Sequence, residues 1–174
     1  MKNYKKIFLS LILIFFIPNL LMADLPRYLD FKYVLNQSEA GKKAQTQLKK
    51  ELDNGINDLT KQEKIIREEE KKIIQQKKIL AKDEYKKKVS ELRKKVSDLQ
   101  KKRSKLVKSV SDKRSKARSQ LLKNLNPVVK EYMVEKQVKM VIDKKVLILA
   151  DEKLDITKDI TSRLNAKIKT LKLD

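Results

Sequence analysis

Residues 88–110 read KVSELRKKVSDLQKKRSKLVKSV. Apolar side chains stand at Val89, Leu92, Val96, Leu99, Leu106 and Val110, and almost everything between them is charged or small and polar. Steps of three and four are the signature of a helix with one narrow apolar stripe, the kind that packs against a second helix. The same stepping reaches back to Tyr85 and forward to Ala117 and Leu121, broken by Arg103 and Lys113.

Upstream, Leu52, Ile56, Leu59, Ile66, Ile73 and Leu80 form a second stripe, with polar residues at Glu63, Glu70 and Lys77 and extra apolar ones at Ile65, Ile74 and Ile79. The two stretches are each about 40 residues long, or about 60 Å of helix. LAKDEYKK (80–87) interrupts the repeat between them. Asp83 offers a cap and Glu84 a favourable charge for a new helix, which places a reversal at 81–83. The expectation is an antiparallel hairpin instead of one very long rod.

The ends of the chain differ in pattern. DLPRYLDFKYVLN (24–36) alternates apolar and polar residues, so Leu29, Phe31 and Val34 suggest a strand running into a helical start. Gln37, Ser38 and Glu39 then form a cap region. Pro127 predicts a break after Leu125, with a helix resuming at 128–136. Val138–Ile142 and Val146–Ala150 read as the strands of a β-hairpin turning at 143–145. Thr157 caps a last helix with Ile160, Leu164 and Ile168 on one face. The predicted fold class is α+β, mostly α: a small β-rich body made from 24–37 and 124–174, and a helical-hairpin coiled-coil arm over 38–123. Three short strands are near the minimum for independent stability, so the body is expected to associate through the apolar runs VIDKKVLIL and YLDFKYVL.

The first residues, MKNYKKIFLSLILIFFIPNLLMAD, have a lysine-rich start, an apolar run from Ile7 to Leu21, and Ala23 where a signal peptidase would cut. Residues 1–23 are read as a cleaved signal peptide. The competing reading is an uncleaved anchor, for which the run is short. No Cys follows that could carry a lipid.

Composition excludes much chemistry. The chain has no His and no Cys, which removes thiol nucleophiles, His-based general bases and the usual zinc clusters. Carboxylates sit in runs such as Glu68-Glu69-Glu70, where a solvated helix face is the simpler reading. No enzyme activity, metal or cofactor is expected.

Charge is the informative quantity. Lys+Arg number 44 against Asp+Glu 23, a formal net charge of +21. Residues 61–118 hold 23 basic and 9 acidic side chains, a net +14, whereas 24–60 hold six of each. A solvated coiled coil explains charge density but not this imbalance, because mixed signs support a helix better. The excess points to an anionic partner or to a repulsion that keeps arms apart. Specific nucleic-acid binding is disfavoured by the export signal and by the lack of aromatics interleaved with the basic residues. An anionic membrane surface or lipopolysaccharide fits better.

The two ends together resemble the Skp/OmpH family of periplasmic chaperones for outer-membrane proteins. In YLDFKYVLNQSEAGKKAQTQLKKELD the resemblance lies in Asp30, Val34-Leu35, Ser38, Gly41 and Lys42. At the other end it lies in VIDKKVLILADEKLDITKDITSRLN. Pro26 departs from the pattern at the first strand. The resemblance implies a homotrimer whose shared β body carries three hairpin arms around a cavity. It also implies an ATP-independent holdase for unfolded outer-membrane β-barrel proteins, and lipopolysaccharide-interacting basic residues towards the arm tips. The nearest basic cluster here is Lys82, Lys86, Lys87, Lys88 and Arg93. Apolar side chains beyond the tight seam, Ile65, Ile74, Ile79, Tyr85 and Val107, are the candidate client contacts.

Overall fold

The computed structural model describes residues 25–173; the expected signal peptide lies outside them. A short strand β1 (Arg27–Leu29) leads through Asp30 into helix α1 (Phe31–Gln37). Helix α2 (Glu39–Gln76) then runs out, and helix α3 (Lys82–Glu135) returns past the starting point. Strand β2 (Val141–Asp143), two single 3-10 turns and helix α4 (Thr157–Lys167) complete the body. The expected class is observed: mostly helix, one small sheet and a long helical hairpin.

Capping chemistry sets the first corner. The Asp30 carboxylate accepts from the Tyr33 N–H at 2.7 Å and starts α1. The buried Ser38 ends α1 by donating its own N–H to Val34, and starts α2 by accepting from the Gly41 N–H at 3.2 Å. A Cβ at Gly41 would lie 2.0 Å from the Leu35 carbonyl oxygen, so only glycine fits that corner.

The body core gathers both ends of the chain. Leu29, Val34, Leu125, Val128, Ile160 and Leu164 are fully buried together. Thr157 was expected to cap the last helix, but its buried hydroxyl instead accepts from the Asp30 N–H at 2.9 Å. Asp155 takes over locally, accepting from the Thr157 N–H at 2.8 Å. The hydroxyl thus ties the first turn of the chain to the last helix.

Three further expectations are corrected. First, Pro127 does not break the helix; α3 passes through it. Leu121, Leu125, Val128 and Tyr132 form one buried stripe across that point. Pro127 and Lys123, whose carbonyl loses its partner, are both exposed, so water can satisfy the orphan. Second, 138–142 and 146–150 do not form a hairpin. Helix α3 ends in a Schellman-type turn: Gln137 takes positive φ and Val138 N–H donates to Met133 O. Strand β2 pairs parallel with β1, Tyr28 opposite Ile142, while Tyr28 also bridges to Asp155 on the other side. Asp143 accepts from the Lys145 N–H and winds a 3-10 turn, which Leu147 closes through its N–H to Lys144 O, and Ile148 and Leu149 then stand exposed outside any strand. Third, Phe31 and Val34 are helical, leaving β1 three residues long immediately after Pro26.

Candidate binding surface of the helical arm

The arm's root is tight. Ala44, Leu48, Val110 and Ala117 are buried in one cluster, and Leu173 from the C-terminal segment closes it. Gln120 fastens that segment from both sides: its amide donates to Lys172 O at 2.6 Å and accepts from Lys172 N–H at 3.2 Å. Further out, Gly55 admits the Leu106 side chain, which would lie 2.5 Å from a Cβ there. Small residues on one helix let large ones from the other approach closely.

Ion pairs cross between the two helices, and one of them joins two charged interruptions of the stripes, Arg103 and Glu63. Lys113 reaches both carboxylate oxygens of Glu51 at 2.9 Å. Arg103 reaches Glu63 at 3.5 Å, and Lys95 pairs with Glu69. Within one helix, Arg67 donates to Glu63 at 2.8 Å. The Arg67 hydrogen bond and charge, with Arg103 beside them, hold the Glu63 carboxyl below its ordinary value. The antiparallel register is therefore written in pairs whose partners descend along α3 as they ascend along α2.

Towards the tip, beyond Glu69 and Lys95, these cross-helix pairs stop among the described residues. The reversal occupies 77–81, a few residues before the expected 81–83. Backbone bonds from Ile79 and Leu80 to Gln76 O close it, and Ala81 takes the cap position without a side-chain bond. Asp83 and Glu84 lie in the first turn of α3 and favour its positive end by charge alone. Lys82, Lys86, Lys87, Lys88 and Arg93 follow at once, on the first turns of α3. None of the five makes an ion pair or a side-chain hydrogen bond to another described residue. Lys82, Lys86 and Arg93 share one helix face; Lys87 and Lys88 point to others.

The five apolar candidates divide. Ile65 (66% exposed), Ile74 (61%), Ile79 (84%) and Val107 (58%) are open to solvent, and Tyr85 is half-buried. Ile65 and Val107 stand apart along the shaft and Ile79 tops the reversal. Ile74, Tyr85 and Arg93 come together on a groove of about 380 Å³ between the helices. Its floor is Ile73, Val89 and Leu92, its rim includes Val96 and Glu70. In sequence Ile73, Val89, Leu92 and Val96 are ordinary stripe positions and Glu70 is a polar interruption. The signal for the groove is the lack of Gly or Ala on either stripe over 59–76 and 85–99, so bulky side chains meet bulky ones there and pack less closely.

The body offers a second surface. Val134, Met140, Val146, Ile148 and Leu149 are exposed. Met133, Val134 and Val138 line a depression of about 720 Å³ with Lys130 and Lys139 at its edge. Among the described residues no helix is long and apolar enough to cross a membrane, and no acidic group of three or more is placed to hold a metal.

A family model described as "Outer membrane protein (OmpH-like)" matches residues 27–164. The crystal structure of an OmpH-like outer membrane chaperone from Caulobacter crescentus CB15 superposes with a TM-score of 0.79 at 25% identity, covering 86% of this chain and 90% of that one. No curated protein matches significantly.

Proposed function

The chain belongs to the OmpH-like outer membrane protein family, and on that basis we propose that it is a periplasmic holdase that keeps unfolded outer-membrane β-barrel proteins soluble without ATP. The observation that carries the reading is the pairing pattern of the arm. Lys113 and Arg103 are paired across the helices with Glu51 and Glu63, whereas the cations that open α3 stand without acidic partners among the described residues, near the exposed Ile74 and Ile79. Unpaired cations attract an acidic client at long range. Scattered exposed apolar side chains add many weak contacts, which suits a guest that must leave again. The similarity to an OmpH-like chaperone supports the same reading.

The reading includes export by residues 1–23 and assembly as a homotrimer. Among the described residues, Val146, Ile148 and Leu149 are exposed on the body beside a two-stranded β-sheet. Such a run is the natural contact for another copy, burying apolar surface and completing strand pairing. Residues 24–37 and 124–174 then serve assembly, and 38–123 serve capture.

A second reading is favoured by one observation. Ile79 stands almost fully exposed between Lys77, Lys78 and Lys82 at the reversal. An apolar tip ringed by cations also fits an anionic surface such as lipopolysaccharide or an acidic membrane.

The test mixes the mature protein with a urea-unfolded β-barrel protein, dilutes the urea without nucleotide, and follows light scattering. The holdase suppresses scattering at low salt and loses the effect as salt rises. A protein that only binds anionic surfaces leaves the client to precipitate.

A further inference from the structure

We propose that the groove below the arm's reversal seats one apolar side chain of an extended, acidic segment of unfolded polypeptide, an inference that rests on the holdase reading above. The groove has what such a seat requires. Ile73, Val89 and Leu92 give an apolar floor, and Tyr85 borders it on the side nearest the reversal. Its volume of about 380 Å³ suits a single large side chain better than a folded surface.

Charge decides the occupant. Arg93 lies on the groove without an acidic partner among the described residues, and Lys82 and Lys86 share its helix face. Glu70 lies on the rim as well, so the lining itself carries one anion and one cation, and the cationic excess comes from Lys82 and Lys86 along the same helix face. A segment with carboxylates beside its apolar residue gains on the α3 side, whereas a basic segment meets like charge there. The shaft positions Ile65 and Val107 are also apolar and exposed but do not line this groove.

The experiment uses the mature, full-length protein with labelled Ile, Leu and Val methyl groups and follows their NMR shifts. The probes are disordered peptides carrying Asp-Phe-Asp, Asp-Ser-Asp or Lys-Phe-Lys at their centre. The first peptide should move the methyls of Ile73, Val89 and Leu92 saturably, and the other two should bind about tenfold more weakly or worse. Arg93→Glu and Val96→Asp, both at exposed positions that tolerate polarity, should each weaken the first peptide by about tenfold. Equal shifts at Ile65 and Val107, or equal binding of Lys-Phe-Lys, would overturn the seat. If the groove fails this test while the protein still keeps an unfolded barrel soluble, the seat is wrong and the holdase reading stands. If the barrel precipitates as well, the holdase reading has failed.

Discussion

Lys113 and Glu51 face each other across the inner seam of the arm, the ammonium 2.9 Å from both carboxylate oxygens. In sequence Lys113 is a flaw in an apolar stripe. In the fold it is a register mark, half-shielded from solvent on both sides. A hairpin shifted by one helical turn would part the two half-shielded charges, so the pair favours one alignment of the two helices.

That role predicts non-additivity. Lys113→Leu and Glu51→Leu should each destabilise the arm by about 1 kcal/mol, and the double variant by less than the sum. A urea-denaturation cycle on the three variants measures the coupling. Additive effects would show that the pair contributes nothing to the register.

Gly55 makes a sharper prediction. Alanine is the better helix former by about 1 kcal/mol. At this position, however, its Cβ would lie 2.5 Å from Leu106. Overpacking of this kind costs about 1–3 kcal/mol. Gly55→Ala should therefore lower the melting temperature, and adding Leu106→Ala should recover part of the loss. A Gly55→Ala protein that melts higher than the original would mean that Leu106 swings aside and the gain in helix propensity wins.

The buried Thr157 hydroxyl accepts from the Asp30 N–H. Thr157→Val keeps the shape and strands that donor, at a cost of about 1–3 kcal/mol. Amide exchange should quicken at residue 30 and along the first turns of α1 and α4. Unchanged exchange at residue 30 would remove this link between the chain's two ends.

Glu135 supplies a pH dependence. Hydrogen bonds from Arg163 and then Lys136 lower its carboxyl from 4.5 to about 2. The unfolded chain therefore takes up this proton at a higher pH than the folded one. The stabilisation is complete above about 4.5 and is lost as pH falls through about 2. Glu135→Gln should flatten the decline in stability across that window and change little at neutral pH in its slope. An unchanged acid profile in the variant would place the loss elsewhere.

Periodicity made the hairpin readable from sequence, because a long stripe with 3.6-residue spacing has few other uses. Ser38 was readable as a cap for the same local reason. The reversal was displaced because no Gly or Pro marks it, and Ala81 adopts an extended conformation that any residue allows. Pro127 misled because a local rule was overridden by a buried stripe on the opposite side of the helix. The pairing of β2 with β1 joins residues more than a hundred positions apart, and nothing in 138–150 states it. The groove depends on how closely the helices pack, which the stripes imply only through their lack of small residues. Lys82, Lys86, Lys87, Lys88 and Arg93 were legible as a cluster, but their freedom from partners needed the fold.

The central claim is that unpaired cations on an assembled arm hold an unfolded, acidic guest. Native mass spectrometry of the mature protein, mixed with a urea-unfolded β-barrel protein and no nucleotide, tests it most directly. The account predicts a complex of three copies with one client, and predicts that Lys86→Glu, Lys87→Glu and Lys88→Glu together remove the client while the three-copy mass persists. A single copy without client, or a client still bound after that charge reversal, would contradict it.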